Sequence, residues 1–330
     1  MATSLARRTV LPMLAFAASL TAFGTAASAA DKITFLTSWY AQAEHGGFYQ
    51  AKATGLYEKA GIDATIRTGG PQVNAMQLLL AGEVDMIMGY DIQALKGVEQ
   101  GLPVVTVGTS FQYDLQGMMT HDDVKSLAGL KDKTILIASS GRTTWWPWLK
   151  KKFNYTDEQT KAYTFNLQPF FADKNVAQQG YPSSEPFQAQ QNNVPAKFFL
   201  FAADGYPPYG TTMVTTRKFL DANPDLVRRF VRTSLQGWKD YISNPGPANL
   251  LIKEANPKMS DAQIAFGIRR MKELKVLDGG DAATQGIGVM TEERWKKTYD
   301  YLVGAGLLKP ETDWKKAFTT EFVKDLKIMM

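Results

Sequence analysis

The stretch ITFLTSWYAQAEHGGFYQAKATGLYEKAGIDATIR, residues 33–67, decides how the first part of the chain folds. Ile33 to Thr37 is a short run of β-branched and aromatic residues, and Ile62 to Arg67 alternates between apolar and polar residues. Both patterns predict strands. Between them, apolar residues follow helical spacing until Gly61, which ends the helix. The stretch therefore predicts one β-α-β unit of an α/β fold.

The loop after the first predicted strand is rich in aromatic residues. In open α/β sheets, ligands bind beyond the carboxyl ends of the strands, where Trp39, Tyr40 and His45 would stand. Aromatic rings and glycines at this edge suit a small, flat ligand. The alternative is that Trp39 and Phe48 only cap the hydrophobic core, because aromatic side chains are often simply buried.

Residues 1–30 have the order of a secretory signal peptide. Arg7 and Arg8 precede an apolar stretch, and the small residues 27–29 follow it. We expect cleavage near Ala29 or Ala30. No later apolar run reaches the length of about 18 residues that a membrane span needs, so the mature protein is not expected to be membrane-inserted. The twin arginine hints at export of a folded protein, but the residues that usually follow such a pair are absent, which favours the general export route.

The composition excludes several classes of protein. Without Arg7 and Arg8 the chain has 35 basic and 32 acidic residues, a charge of +3, and the bases are scattered. A nucleic-acid partner is therefore not expected. The chain has no cysteine, so an exported protein of this sequence has no disulfides and needs a large hydrophobic core. About 300 residues are enough for two α/β lobes.

The chain after Arg67 repeats the β-α pattern. Gly69-Gly70-Pro71 leads into a predicted helix that starts at Pro71, and the glycines, Gly70 among them, let the backbone come close to a ligand. Residues 86–88 are predicted to form a buried strand, followed by Tyr90 and by Asp91, which can cap the next helix. With the further strand predicted at residues 104–107, this series indicates a parallel sheet with right-handed crossovers.

A second candidate site follows the strand predicted at residues 134–138. There Ser139-Ser140-Gly141-Arg142 precedes a helix predicted from Trp145 to Phe153. Small hydroxyl residues and glycine at a helix start present free N–H groups and a positive dipole end to a carboxylate, sulfonate or phosphate. The alternative is an ordinary N-cap with a solvated arginine.

The later part of the chain is predicted to complete a second lobe and return to the first. Residues 176–187 read as a strand, a loop and a helix start, with Tyr181 and Glu185 facing a cleft. Residues 204–210 are rich in glycine and proline and predict a crossing segment back to the first lobe. The helices predicted from Pro224 onward should wrap that lobe.

Signals of catalysis and metal binding are weak. The chain has two histidines, His45 and His121, no cysteine, and no hydrolase, zinc-protease or phosphate-loop motif. We therefore predict no catalytic residue, no metal site and no cofactor. His45 is interpreted as a hydrogen-bond donor in a pocket and His121 as a structural residue.

Several segments of the chain resemble the periplasmic solute-binding proteins of ABC importers. They are His45–Ala51, Gly55–Asp63, Gly69-Gly70 and Gly82–Asp85, together with Trp39. The resemblance is to the branch related to the binding and synthesis of thiamine pyrimidine precursors, whose cousins bind riboflavin, alkanesulfonates, taurine or nitrate.

This resemblance implies the type II periplasmic binding protein fold, in which two α/β lobes trap a ligand by hinge closure. The two crossing segments would lie near Gln116 and Tyr206. Lobe 1 would comprise residues 31–117 and 210–330, and lobe 2 residues 118–209.

The implied function is non-enzymatic capture of a planar heterocycle, such as a pyrimidine thiamine precursor, in the periplasm. The protein would act as a monomer and deliver its ligand to an ABC permease and ATPase complex. The predicted ligand contacts are Trp39, Tyr40, His45, Gly70, Tyr90, Asp91, Ser139, Ser140, Gly141, Arg142, Tyr181 and Glu185.

Three alternatives remain open at this point. The first is a sulfonate, taurine or nitrate bound at residues 139–142, although the carboxylate of Glu185 would repel an anion. The second is an enzyme, because His45 matches the histidine that the fungal pyrimidine synthases consume; the chain lacks their cysteine-rich, iron-associated motif. The third is a sensor domain that presents the same closed cleft to a membrane receptor.

Overall fold

The computed structural model describes residues 1–2 and 29–330, so the predicted signal peptide, residues 1–30, lies almost entirely outside the described residues. Within the described part, no helix has the length and apolar character needed to span a bilayer. The strands are β1 (Asp31–Leu36), β2 (Ile62–Arg67), β3 (Met86–Gly89), β4 (Val104–Phe111), β5 (Gly117–His121), β6 (Thr134–Ile137), β7 (Thr160–Ala162), β8 (Val176–Gly180), β9 (Ala196–Leu200) and β10 (Gly210–Thr216).

Helices connect and cover these strands. The α-helices are α1 (Gly46–Ala53), α2 (Leu56–Lys59), α3 (Ala75–Leu80), α4 (Asp91–Glu99), α5 (Ser139–Thr143), α6 (Trp146–Phe153), α7 (Gln168–Ala172), α8 (Glu185–Gln191), α9 (Arg217–Ala222), α10 (Pro224–Ser243), α11 (Gly246–Ala255), α12 (Asp261–Glu273), α13 (Ala282–Gln285) and α14 (Glu292–Gly304). Short 3-10 helices lie at Ala43–His45, Leu127–Leu130, Asp157–Gln159, Phe201–Asp204 and Trp314–Ala317.

The strands form two five-stranded sheets, one in each lobe. The first has the order β2-β1-β3-β10-β4 and the second the order β7-β6-β8-β5-β9. The chain leaves the first sheet at Phe111, enters the second at Gly117, and returns to the first at Gly210. The predicted α/β fold, with two lobes and two crossing segments, is confirmed.

The first sheet differs from the parallel sheet that the sequence predicts. Strands β1, β2 and β3 are parallel, with Ile33 opposite Ala64. The returning strand β10 lies between β3 and β4 and is antiparallel to both. The chain comes back from lobe 2 in the opposite direction, so the sheet is mixed.

Three helix boundaries also differ from the sequence prediction. Gly55, with a φ of 68°, divides the first predicted helix into α1 and α2. Helix α3 begins at Ala75 instead of Pro71, because the side chain of Asn74 accepts a hydrogen bond from the backbone N–H of Gln77 and caps it there. The predicted helix cap Asp91 is the first residue of α4, which follows the N-cap residue Tyr90.

The core of lobe 1 holds the first β-α unit in place. Phe48 is fully buried on α1, and its ring centroid lies 4.4 Å from that of Phe35 on β1. Trp238 of α10 packs edge-on against Phe48 at 6.0 Å. Helix α10 thus covers the sheet as predicted, and the loop between β1 and α1 is anchored at both ends.

Candidate functional site

A small cavity of about 30 Å³ lies between the two lobes, at the carboxyl ends of β1, β3 and β8. Its lining residues are Ser38, Trp39, Gln42, Tyr90, Gln116, Ser140, Gln179, Gly180, Tyr181 and Glu185. This is the sheet edge at which ligands bind in open α/β folds. The volume is enough for about one or two water molecules but not for a heterocyclic ring. The lobes are therefore in close contact here, and a ring-sized ligand fits only if they separate.

Direct hydrogen bonds hold the lobes together at this cavity. The hydroxyls of Tyr90 in lobe 1 and Tyr181 in lobe 2 are 3.1 Å apart, and the side-chain amide of Gln116 donates to the Tyr90 hydroxyl at 3.1 Å. The backbone N–H of Ser139 donates to the carbonyl of Pro71 at 3.0 Å. Burial raises the pKa of Tyr90 to about 12, so its phenol is neutral.

Trp39 forms a wall of the cavity and contacts both lobes. Its ring is half-buried and stacks nearly parallel to Tyr163 of lobe 2, with centroids 6.0 Å apart. Phe165 meets the same ring edge-on at 6.0 Å. The core-capping role considered from the sequence describes Phe48, whereas Trp39 packs against the core of lobe 2 and also lines the cavity.

Glu185 is the carboxylate that lines the cavity. One of its oxygens accepts from the Tyr163 hydroxyl at 2.9 Å and the other from the backbone N–H of Tyr181 at 2.8 Å. Burial raises the pKa of this carboxyl to about 7. The backbone of Gly180 passes so close that an added Cβ would lie 2.6 Å from Oε2. Each oxygen keeps a second lone pair for a donor on a ligand.

Three glutamines that sequence reasoning missed supply amide groups to the cavity. The Oε1 atoms of Gln42 and Gln116 are buried and have no hydrogen-bond partner among the described residues. Oε1 of Gln179 accepts from the backbone N–H of Ala138 at 2.6 Å. Two unpaired carbonyl oxygens beside a carboxylate suit a ligand that donates several hydrogen bonds.

The predicted anion site has a different geometry from the one that its sequence suggests. Residues 139–143 form the separate five-residue helix α5, and only Ser140 of the four predicted contacts lines the cavity. Arg142 is exposed and donates to the hydroxyl of Thr160 at 2.9 Å. The N–H of Ser139 already donates to lobe 1, and Gly141 packs against Trp145. Within the described part of the chain, no lysine or arginine lines the cavity.

His45 and Asp91 lie behind the cavity lining. His45 is buried on the 3-10 helix, neither ring nitrogen has a partner among the described residues, and burial lowers its pKa to about 3. Its imidazole is therefore neutral. Asp91 accepts from the backbone N–H groups of Tyr209 and Ile92, both at 2.9 Å, and burial raises its pKa to about 7. Asp91 thereby ties α4 to the second crossing segment.

Tyr40 and Gly70 lie together outside the cavity. Tyr40 is exposed, and its ring centroid is 6.0 Å from that of Phe165 and 6.2 Å from that of Trp39. A Cβ on Gly70 would touch the Tyr40 ring at 3.4 Å.

Of the twelve predicted contacts, the cavity lining therefore contains the five residues Trp39, Tyr90, Ser140, Tyr181 and Glu185.

The sequence of this chain matches a known protein family. Residues 42–248, more than half of the chain, match the model described as NMT1/THI5 like. The chain belongs to this family. The matched region includes most of the cavity lining, from Gln42 to Glu185.

Individual members and structures differ in what they do. The riboflavin-binding protein RibY of Chloroflexus aurantiacus is 25% identical over 303 residues, which are 89% of this chain and 86% of that protein. A 4-amino-5-hydroxymethyl-2-methylpyrimidine phosphate synthase of Schizosaccharomyces pombe is 32% identical over 107 residues, covering 32% of this chain and 31% of the synthase. The alkanesulfonate-binding protein SsuA of Xanthomonas axonopodis superposes with a TM-score of 0.64 at 15% identity, over 89% of this chain and 99% of SsuA. The chain thus has the fold of solute-binding proteins.

Proposed function

We propose that this protein is a non-enzymatic, periplasmic capture protein for a small planar heterocycle with several N–H donors, such as a pyrimidine thiamine precursor, which it delivers to an ABC permease. One observation carries the proposal. Among the described residues, the closed cavity is lined by three aromatic rings, three amides and one carboxylate, and by no basic side chain.

The lining matches such a ligand in shape and in polarity. Trp39, Tyr90 and Tyr181 supply flat surfaces on which a ring stacks. The free oxygens of Gln42 and Gln116 and the carboxylate of Glu185 accept hydrogen bonds from ring N–H and amino groups. A site of this kind is apolar on its faces and polar at its edges, as in most small-molecule pockets.

A sulfonate or another oxyanion fits the same lining less well. An anion needs positive charge or free N–H groups, but Arg142 lies outside the cavity and the N–H of Ser139 is already bonded. The nearby carboxylate of Glu185 would also repel it. The cavity lining does not support an enzyme based on His45 either, because this neutral, buried imidazole is not part of the lining.

A ligand screen with two variants tests the proposal. Calorimetric titration at pH 8 would compare aminopyrimidines and flavins with alkanesulfonates, taurine and nitrate. Glu185→Gln should weaken binding of an N–H-donating heterocycle about 10- to 100-fold, because a hydrogen bond to a charged acceptor is lost. Arg142→Gln is the matched control and should leave that affinity unchanged. Binding of sulfonates alone, abolished by Arg142→Gln, would overturn the proposal in favour of an oxyanion.

A further inference from the structure

A second buried carboxylate meets the site from the opposite lobe. Glu44 lies on the 3-10 helix that follows the first loop and is only 1% exposed. It does not line the cavity. Its side chain accepts a hydrogen bond from the hydroxyl of Ser183, which belongs to the turn between β8 and α8 in lobe 2. The buried Glu44 side chain therefore forms a hydrogen bond from lobe 1 to lobe 2.

Glu185 is the first residue of α8, directly after this turn, so that closure brings two carboxylates into one water-poor region. Burial is the main cause that raises the pKa of Glu185, and the charge of Glu44 raises it further. Helix α12 packs against Glu44 and this turn, since a Cβ on Gly267 would lie 3.2 Å from the carbonyl of Ser183 and 3.9 Å from the Glu44 carboxylate. Two buried carboxylates that interact cannot both stay ionised without a large cost.

The other buried titratable groups around the pair bring no positive charge, and Arg269 and Arg270 of α12 pair with Glu273. His45, next to Glu44, is neutral because burial lowers its pKa to about 3. The phenols of Tyr181 and Tyr241 feel the Glu44 charge, which raises their pKa further, so they stay neutral as well. Within the described part of the chain, no lysine or arginine shifts the pKa of Glu44 or of Glu185.

We propose that closure of the two lobes takes up a proton at the pair formed by Glu44 and Glu185, so that the closed form is favoured at lower pH. When the lobes separate, the bond between Glu44 and Ser183 breaks and water reaches both carboxylates. Each carboxylate is then stable as an anion. On closure the pair loses that hydration and retains at least one proton between its members.

The direction of the pH dependence follows from the raised pKa values. The ordinary pKa of a glutamate is 4.5, whereas burial raises that of Glu185 to about 7 and raises that of Glu44 as well. Between pH 4.5 and pH 7 the closed form holds a proton that the open form lacks. The closure equilibrium constant therefore rises as the pH falls from 7 to 4.5, by at most about tenfold per pH unit for each proton.

The absence of native cysteine makes a direct test simple. Cysteines introduced at the exposed positions Gln77 in lobe 1 and Lys161 in lobe 2 would carry spin labels that report the distance between the lobes. The doubly labelled protein would be measured without any ligand between pH 5 and pH 8. We expect the short, closed distance to gain population as the pH falls.

Glu44→Gln is the decisive variant, because glutamine keeps an acceptor for Ser183 but carries no charge. It should reduce the pH dependence by the share of Glu44, with the share of the still-buried Glu185 remaining, whereas the exposed control Glu58→Gln should retain all of it. An interlobe distance that is constant from pH 5 to pH 8 in the parent protein would overturn the inference, as would full pH dependence in Glu44→Gln. The inference rests on the hinged fold and not on the ligand, so a failed ligand screen and a failed distance measurement are separate results.

Discussion

Trp39 contacts both lobes, and a single substitution tests whether it also contacts the ligand. Replacing Trp39 with alanine should cost about 1–3 kcal/mol of binding free energy if its ring stacks on a heterocycle, by analogy with stacking of bases on aromatic side chains. The measurement is a calorimetric titration of the ligand that the screen identifies. Trp314, which is half-buried in lobe 1 and stacks on Tyr299, offers a control variant that should keep full affinity. Unchanged affinity in Trp39→Ala, together with a lower melting temperature, would assign Trp39 to the core.

Chemically distinctive residues of the site could be recognised in the sequence, and common ones could not. Trp39, Tyr181 and Glu185 stand out because aromatic rings and a carboxylate next to strand ends suggest a pocket. Gln42 and Gln116 carry no such signal, because glutamine is mostly an exposed residue. Their burial depends on the closure of two lobes, which no local pattern of sequence reports.

Individual β-α units were predictable because their periodicity is local. The first unit, at residues 31–67, has the strands that its sequence predicts, and only the break at Gly55 was missed. The position of β10 between β3 and β4 was not predictable in this way. It depends on pairing between residues that are about a hundred or more positions apart, and hydrophobic periodicity contains no information on such pairing.

Helix α14 links the lobes far from the cavity, and this contact should influence ligand affinity. The indole N–H of Trp148 on α6 in lobe 2 donates to the hydroxyl of Tyr301 on α14 at 2.5 Å. We expect hinge opening to separate the two helices, in which case this bond forms only in the closed protein. Tyr301→Phe should therefore weaken ligand binding about two- to tenfold, as expected for the loss of about 0.5–1.5 kcal/mol.

Tyr299 provides the matched control for this variant. It lies on the same helix, but its hydroxyl donates to the carbonyl of Pro310, within lobe 1. Tyr299→Phe should leave the dissociation constant unchanged in the same titration. Equal affinities for the parent protein and Tyr301→Phe would show that α14 does not contribute to closure.

The candidate site is formed by residues of both lobes together. Its lining runs from Ser38 to Glu185, with four residues from lobe 1, five from lobe 2, and Gln116 from a crossing segment. The turn that precedes Glu185 meets Glu44 across the cleft, where the hydroxyl of Ser183 donates to the Glu44 carboxylate. The cavity and the buried carboxylates beside it therefore belong to the contact between the two lobes.

Four buried carboxylates make the stability of the whole protein depend on pH in an unusual direction. These carboxylates are Glu44, Asp91, Asp114 and Glu185. Burial raises the pKa of each of them. The native state therefore holds protons that the unfolded chain has released, and stability should rise as the pH falls from 8 to about 5. Below pH 6.5, the ordinary pKa of histidine, the unfolded chain binds a proton at His45 that the folded protein does not, which lowers stability as the pH falls. This opposing effect involves one proton, whereas the four carboxylates involve up to four.

Thermal unfolding of the ligand-free protein measures this dependence. The melting temperature should be higher at pH 5 than at pH 8, since the buried carboxylates are neutral in the folded state at pH 5 and still ionised in the unfolded state. Asp114→Asn should reduce the difference, because one oxygen of Asp114 accepts from the N–H of Gln116 and the other has no partner, so an amide fits without a charge. The exposed Asp221→Asn should retain it. A melting temperature that falls from pH 8 to pH 5 would mean that these carboxylates remain ionised in the folded protein, and the closed cleft would then have to admit water.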